Sequence, residues 1–235
     1  YWIDERGEKH YCWQICTGNG ARYLVAAFSI HSDERGLIIP PKIAPIQVII
    51  IPIFKKENRE KILNEAKKIK DVLINHQIKA EIDEREEITP GEKFFIWEIK
   101  GVPIRIEIGE EEVNKNFYTI FRRDKKEKYK IEKEKVVGFV KNLLEIEIPK
   151  YLFENSIKFM QEKIQFANNI DETMEIIKNG KVAKVNWCGS KKCYEDISLI
   201  EKGIEAIGFL LEQKEGKCII CGSKTNRLTL IGRVY

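Results

Sequence analysis

Ile46-Gln47-Val48-Ile49-Ile50-Ile51-Pro52-Ile53 is apolar at almost every position. The run is far too short to cross a bilayer and is interrupted by Pro52. A strand with one wet face alternates apolar and polar residues, whereas a strand covered on both faces is apolar throughout. Residues 46–53 therefore predict a strand buried in a sheet with helices on either side. The residues that follow agree. Glu57 to Asn75 reads as a lysine-rich helix with Ile62, Ala66, Ile69, Val72 and Leu73 on one face. IKAEID is a short strand, and Thr89-Pro90 then pairs a capping hydroxyl with proline at the first helical position. The helix GEKFFIWEIKG stops at Gly101, and the strands VPIRIEI and NFYTIFRR precede a helix of about Glu132 to Leu144. Alternating strands and helices over this span predict a small α/β domain with a mainly parallel or mixed sheet.

Upstream, His10 to Cys16 reads as a strand, Thr17-Gly18-Asn19-Gly20 as a loop, and Ala21 onward as a helix stopped by Gly36 and Pro40-Pro41. LIIPPKIAP reads as a stiff linker, which puts a boundary near Ile43. Downstream, helices are expected from about Tyr151 to Asn168 and from Asp171 to Asn179, the second closed by Gly180. The strand KVAKVNWC, the helix YEDISLIEKGIEAIGFLLE and the strand RLTLIGRVY complete the chain. The expected domains are thus 1–43, 44–147 and 148–235.

The 235 residues are 43% hydrophobic and 33% charged, with a formal net charge of +4, a composition suited to a soluble globular chain with a heavily charged surface. The Lys/Glu balance beside abundant Ile resembles proteins of hot environments. The positive charge permits an anionic partner without demanding one. The chain opens on YWIDERGEKHY, neither a signal peptide nor a natural start, so it is expected to begin part-way through a larger protein.

Cys188, Cys193, Cys218 and Cys221 are spaced C-x4-C-x24-C-x2-C, with Gly189 and Gly222 after the first and last. Two short-spaced pairs supply the thiolates of a tetrahedral zinc site, with no position left for water, so the metal would be structural. The alternative is four small buried hydrophobes, although both pairs fall in turns with Lys and Ser neighbours. Cys12 and Cys16, lacking a second pair, read as core or pocket thiols. The clustering speaks for a reducing compartment, hence the cytoplasm. Arg22, heading the otherwise apolar ARYLVAAFSIH, needs an anion, and a carboxylate in a surface ion pair is the ordinary partner.

Three stretches together, HSDERGLIIPPKIAPIQVIIIPI, WEIKGVPIRIEIG and the late cysteine pairs, resemble prolyl-tRNA synthetases of the archaeal and eukaryotic type, from about Trp13 to the end. The resemblance implies the tail of a class II antiparallel-sheet catalytic domain, an α/β anticodon-binding domain with a mixed sheet, and a small α+β zinc domain ending in tyrosine, here Tyr235. It implies attachment of proline to tRNA(Pro) using ATP with Mg2+, through a prolyl-adenylate, by a homodimer that pairs through the catalytic domain. In QICTGNGAR, Arg22 matches the motif 3 arginine that holds ATP phosphate, and Gln14 lies beside the nucleotide. Cys16, Thr17 and Gly18 wall the proline pocket, with Thr17 departing from a tryptophan-glycine pattern. Motifs 1 and 2 are absent, so this chain alone would be inactive. Phe94, Glu98 and Arg105 fall where the family reads the anticodon, by base stacking and by contacts to guanine edges. On the residues alone, one of Phe94 and Phe95 belongs to the core, and Arg105 is equally compatible with a solvent-facing position. His31, Asp33 and Arg35 suit interdomain ion pairing at least as well as catalysis. Arg122-Arg123-Asp124-Lys125-Lys126 suits RNA phosphates, or a solvated hairpin tip for its lysines. Two other readings stand beside the enzyme. One is a non-catalytic tRNA-binding module or synthetase paralogue, the other a protein–protein adaptor.

Overall fold

The apolar character of residues 46–53 is accounted for by a strand with packed side chains on both faces: Val48, Ile49, Ile50 and Ile51 are all fully buried. The computed structural model describes every residue except Gln14, Cys16, Asn19 and Tyr235. It divides the chain into two units, Tyr1–Leu152 and Phe153–Tyr235. The first contains the hairpin β1 (Trp2–Ile3) and β2 (Lys9–His10), helix α1 (Arg22–His31), β3 (Val48–Pro52), α2 (Arg59–Asn75), β4 (Ala80–Ile82), α3 (Pro90–Ile99), β5 (Ile104–Ile108), α4 (Glu110–Asn114), β6 (Phe117–Arg122), β7 (Glu127–Glu132) and α5 (Val136–Asn142). Helix α6 (Ile148–Lys163) follows a π-helical turn. The second unit adds β8 (Ile164–Phe166), α7 (Ile170–Lys178), β9 (Val182–Asn186), α8 (Lys191–Ile200), β10 (Ile204–Lys217) and β11 (Lys224–Arg233).

The central sheet is mixed, in the order β4-β3-β5-β6-β7. β3 pairs in parallel with β4 and β5, while β5–β6 and β6–β7 are antiparallel. One face of β3, Val48 and Ile50, packs against Ile62, Ala66, Ile69 and Leu73 of α2 and Val136 and Val140 of α5. The other face, Ile49 and Ile51, meets Val102 with Phe94 and Trp97 of α3. Each such isoleucine contributes about 1.5–3 kcal/mol by leaving water. On α2, Val72 stays 40% exposed and Leu63 is buried in its place. The helix thus turns the 62, 63, 66, 69, 73 stripe inward.

Thr89 caps α3 as expected, accepting from Glu92 N while Glu92 Oε2 accepts from Thr89 N at 2.8 Å. Leu37–Ile39, expected as a linker, is docked: Leu37 N donates to Ile99 O at 3.0 Å and Ile39 N to Gly101 O at 3.1 Å. This approach requires glycine at 101, where φ is +72° and a Cβ would lie 2.6 Å from the Leu37 carbonyl.

Several expected elements differ. Residues 11–13 form no strand, and Trp13 and Ile15 are fully exposed. No strand among the described residues pairs with them, and an unpaired ladder has nothing to hold it extended. Helix α1 ends at His31, ahead of Gly36, because Ser32 turns to an extended conformation. β7 was unforeseen, and the helix expected from about Glu132 opens with a 3-10 turn at Lys133–Lys135 before α5. The longest difference lies at 194–212, expected to be one helix. Helix α8 stops at Ile200, Gly203 takes φ +85°, and β10 begins at Ile204. There β10 pairs antiparallel with β11, in a sheet ordered β10-β11-β9-β8. The partner strand, distant in sequence, overrides local helix propensity.

Candidate nucleic-acid interface and metal centre

Phe94, Glu98 and Arg105 converge on one side of the central sheet. β5 is extended, so Arg105 points to the face opposite Ile104 and Ile106, towards α3. Its guanidinium is 4.0 Å from the Phe94 ring centroid and 4.2 Å from that of Phe121. Nη1 donates to Glu98 Oε1 at 3.1 Å, and Nε and Nη2 donate to Glu107 Oε1 at 3.0 and 2.8 Å. Arg105 is 4% exposed, so the solvent-facing alternative does not hold. Arginine suits this niche because its flat cation stacks on rings while its in-plane donors meet carboxylates. Phe94 packs partly into the core, and Phe95 is 61% exposed. Sequence reasoning missed Glu107, Phe121 and Lys128. The Lys128 ammonium donates to Glu107 Oε2 at 2.9 Å and lies 5.6 Å from the Phe94 centroid. The alternation Arg105-Ile106-Glu107 on one strand was the available signal for Glu107.

Glu98 is shared. Its second oxygen accepts from Arg35 Nη1 at 3.3 Å, and its carbonyl accepts from Arg123 Nε at 3.0 Å. Arg123, 1% exposed, holds Asp33 through two bonds of 2.7 and 2.9 Å. Lys126 adds a 3.1 Å ion pair to Asp33 and another to Glu34. Arg123 beside Asp33 holds its carboxyl well below the usual carboxylate range. Asp33 and Arg35 therefore make ion pairs with α3 and the β6–β7 turn, the non-catalytic alternative. His31 lies half-buried, and burial lowers its pKa. Arg122 is also buried, bonded to both oxygens of Asp124 at 2.7 and 2.8 Å and to Glu147 at 2.8 Å. The basic run is thus no continuous phosphate-binding surface: its arginines are neutralised inside, and Lys125 and Lys126 form the exposed turn.

Arg22 is exposed at the first turn of α1, which carries no acidic residue. No carboxylate among the described residues pairs with it. Thr17 and Gly18 are exposed, Gln14, Cys16 and Tyr235 lie outside the described residues, and Cys12 is exposed rather than a core thiol.

Cys188, Cys193, Cys218 and Cys221 come together with their four sulfurs within 4.8 Å of one another. Cys188 Sγ lies 3.6 Å from Cys193 Sγ and 3.8 Å from Cys221 Sγ. A tetrahedron of Zn–S bonds of ~2.3 Å has an edge of ~3.8 Å, so these spacings fit zinc. The turns make the fit. Gly189 takes φ +81° and lets Ser190 cap α8 by accepting from Cys193 N at 3.2 Å. On the other side, Cys218 O accepts from Gly222 N at 2.9 Å. Ser190 and Ser223 hydroxyls sit 3.4 and 3.1 Å from Cys188 and Cys221 sulfurs. The Ser190 bond brings Cys188 down to about 6. Against the pull of Ser190, burial and the neighbouring thiols push Cys193 up to about 12. A cation would relieve that crowding of negative charge.

The anticodon binding domain family model matches residues 47–143, and the model of the C-terminal domain of prolyl-tRNA synthetase matches residues 170–235. The chain is 34% identical to the proline–tRNA ligase of Thermofilum pendens, over 99% of this chain and 49% of that protein. It is 36% identical to that of Methanobrevibacter smithii, over 99% of this chain and 50% of that protein. The corresponding protein of Natranaerobius thermophilus is 35% identical, over 99% and 48%. The chain spans about half the length of the curated relatives it matches. Two family models matched in succession and similarity to these ligases along 99% of the chain lead to one conclusion: the chain belongs to the prolyl-tRNA synthetase family.

Proposed function

We propose that this chain is the anticodon-reading and zinc-bearing part of an enzyme that attaches proline to tRNA(Pro) through a prolyl-adenylate, using ATP with Mg2+. The observation that carries the reading is the stack of Arg105 between Phe94 and Phe121, shared by Glu98 and Glu107, inside the span matched to the anticodon binding domain. Guanine offers acceptors at O6 and N7 and donors on its Watson–Crick edge, so it meets an arginine and a carboxylate with complementary groups. The Phe94 ring offers a stacking face for a splayed base. Arg105 is itself fixed by the carboxylates, which pre-orients its remaining N–H groups and lowers the ordering cost of binding.

Cys188, Cys193, Cys218 and Cys221 would hold zinc, which supplies folding energy and no open coordination position for chemistry. Arg22 would hold ATP phosphate with Gln14 nearby, and Cys16, Thr17 and Gly18 would border the proline pocket. These roles belong to a catalytic part spanning 1–43, followed by the anticodon domain at 44–147 and the zinc domain at 148–235. The parent enzyme would be a cytoplasmic homodimer of a thermophilic archaeon. A non-catalytic tRNA-binding paralogue is the second reading; Arg22, exposed and without a carboxylate partner among the described residues, favours the enzyme.

The test is binding of the chain to tRNA(Pro) transcripts with native and altered anticodons at fixed salt. One changed guanine is expected to cost about 1–3 kcal/mol, a difference that disappears in Glu98→Gln and Arg105→Lys while circular dichroism stays unchanged. Equal binding of all transcripts would remove the anticodon assignment.

A further inference from the structure

The strand β3 has parallel neighbours on both sides, and the chain leaves β3 towards the face covered by α2 but leaves β4 towards the face covered by α3. Where successive crossovers depart to opposite faces, a crevice opens beyond the carboxyl ends of the strands, the usual ligand position in open α/β sheets. Here that crevice is a cavity of about 310 Å³, running from Pro52 at the end of β3 to Thr89 and Lys93 of α3. It lies at the strand ends, whereas the Arg105 cluster lies on the sheet face.

Four cations line it, Lys56, Arg59, Arg85 and Lys93, against Glu86 and Glu87 on the same wall and the buried Asp83 behind it. The carboxylates are largely committed. Arg59 Nε donates to Glu86 at 2.8 Å, and Arg85 donates to both oxygens of Asp83 at 2.9 and 2.6 Å. Trp97 Nε1 adds 2.8 Å to Asp83, whose carboxyl these bonds bring down to about 2 although burial works the other way. Lys93 is the exception. Its side chain is 4% exposed, its ammonium donates to Asp83 O at 2.9 Å, and the nearest carboxylate oxygen is 3.9 Å away. An ammonium has three donors. Two have no acceptor among the described residues, a costly arrangement for a buried charge. Among the described residues no carboxylate pairs with Lys56, whereas Lys93 makes one long ion pair, 3.9 Å to Asp83 Oδ1. The N-terminal end of α3 faces the same space and adds its partial positive charge.

We propose that this crevice binds a phosphate-type oxyanion, with Lys93 as its buried anchor and Lys56 and Arg59 at its rim. Size and charge suit a single tetrahedral oxyanion, whose oxygens accept from several cations at once. The oxyanion is either free phosphate or a phosphate of an RNA backbone, and the assignment is independent of anticodon reading.

The experiment is a 15N NMR titration of the full chain with inorganic phosphate at constant ionic strength, followed by hexauridylate. Saturating shifts of the Gly91–Lys93 amides are expected, lost in Lys93→Met and weakened in Lys56→Gln, a rim substitution that leaves the core untouched. Shifts that are absent, or that grow linearly and alike in wild type and both variants, overturn the site. Saturation by hexauridylate at a concentration at least about tenfold lower than phosphate assigns the site to an RNA backbone, because a polyanion gains from counterion release. Saturation by phosphate with no response to hexauridylate assigns it to a free oxyanion.

Discussion

Replacing Asp33 by alanine strips the buried Arg123 guanidinium of the carboxylate that binds it bidentately. Arg123 is 1% exposed and would keep, among the described residues, the carbonyls of Glu98 and Gly36, at 3.0 and 3.3 Å. Removing one member of a buried ion pair costs about 3–5 kcal/mol, and the two surviving acceptors put this case near about 3 kcal/mol. For a chain of this size that lowers the melting temperature by about 6–12 °C. The damage is local before it is global, since Asp33 sits beside the segment hydrogen-bonded to the end of α3. Hydrogen exchange at the Leu37 and Ile39 amides, which donate to Ile99 O and Gly101 O, reports it directly. The double variant Asp33→Ala/Arg123→Met should recover part of the loss, because the stranded charge is gone. The pH dependence has a definite sign. The folded carboxyl of Asp33 is held below its unfolded value of about 3.9. Its stabilisation is therefore complete above about pH 4 and is lost on acidification below that, so wild type and Asp33→Asn should converge in stability there. A loss under about 1 kcal/mol at neutral pH, with unchanged protection at Leu37 and Ile39, would refute the reasoning.

Three further perturbations test other parts of the fold. Cys218→Ser should abolish stoichiometric zinc binding measured by atomic emission and unfold the second unit, which the wild type should also do on chelation; chelator-resistant structure in Phe153–Tyr235 would contradict a structural metal. Gly101→Ala places a methyl 2.6 Å from the Leu37 carbonyl at φ +72°, and about 2 kcal/mol or more should be lost in urea titrations. Thr89→Ala removes the cap of α3 and should cost about 1 kcal/mol, measured the same way.

The strands β3 to β6 of the central sheet and the helices α2, α3 and α5 were legible because their signals are local. An unbroken apolar run, the Thr89-Pro90 cap and the stop at Gly101 each act within a few residues. The four-cysteine cluster was legible for the same reason: each pair with its glycine makes its own turn, and only the meeting of the pairs needed the fold. The expected helix at 194–212 failed because β10 exists only against β11, some twenty residues later, and no window on the sequence carries that pairing.

By itself, then, the sequence determined the type of the main elements, the ligand set of the candidate metal centre and the family, since these depend on neighbours along the chain and on motifs. Tertiary structure alone decided what the charges do. Arg105, Arg122 and Arg123 look alike in sequence, yet all three are buried ions with assigned carboxylates, one of them stacked between two rings. Lys93 lies on a short helix whose sequence gives no sign that this ammonium is enclosed, and only the packing of α3 beside the carboxyl end of β3 encloses it. A charge has no periodicity that reveals its partner, because the energy of an ion depends on the dielectric and the counter-ion around it, and both are supplied by residues from elsewhere in the chain.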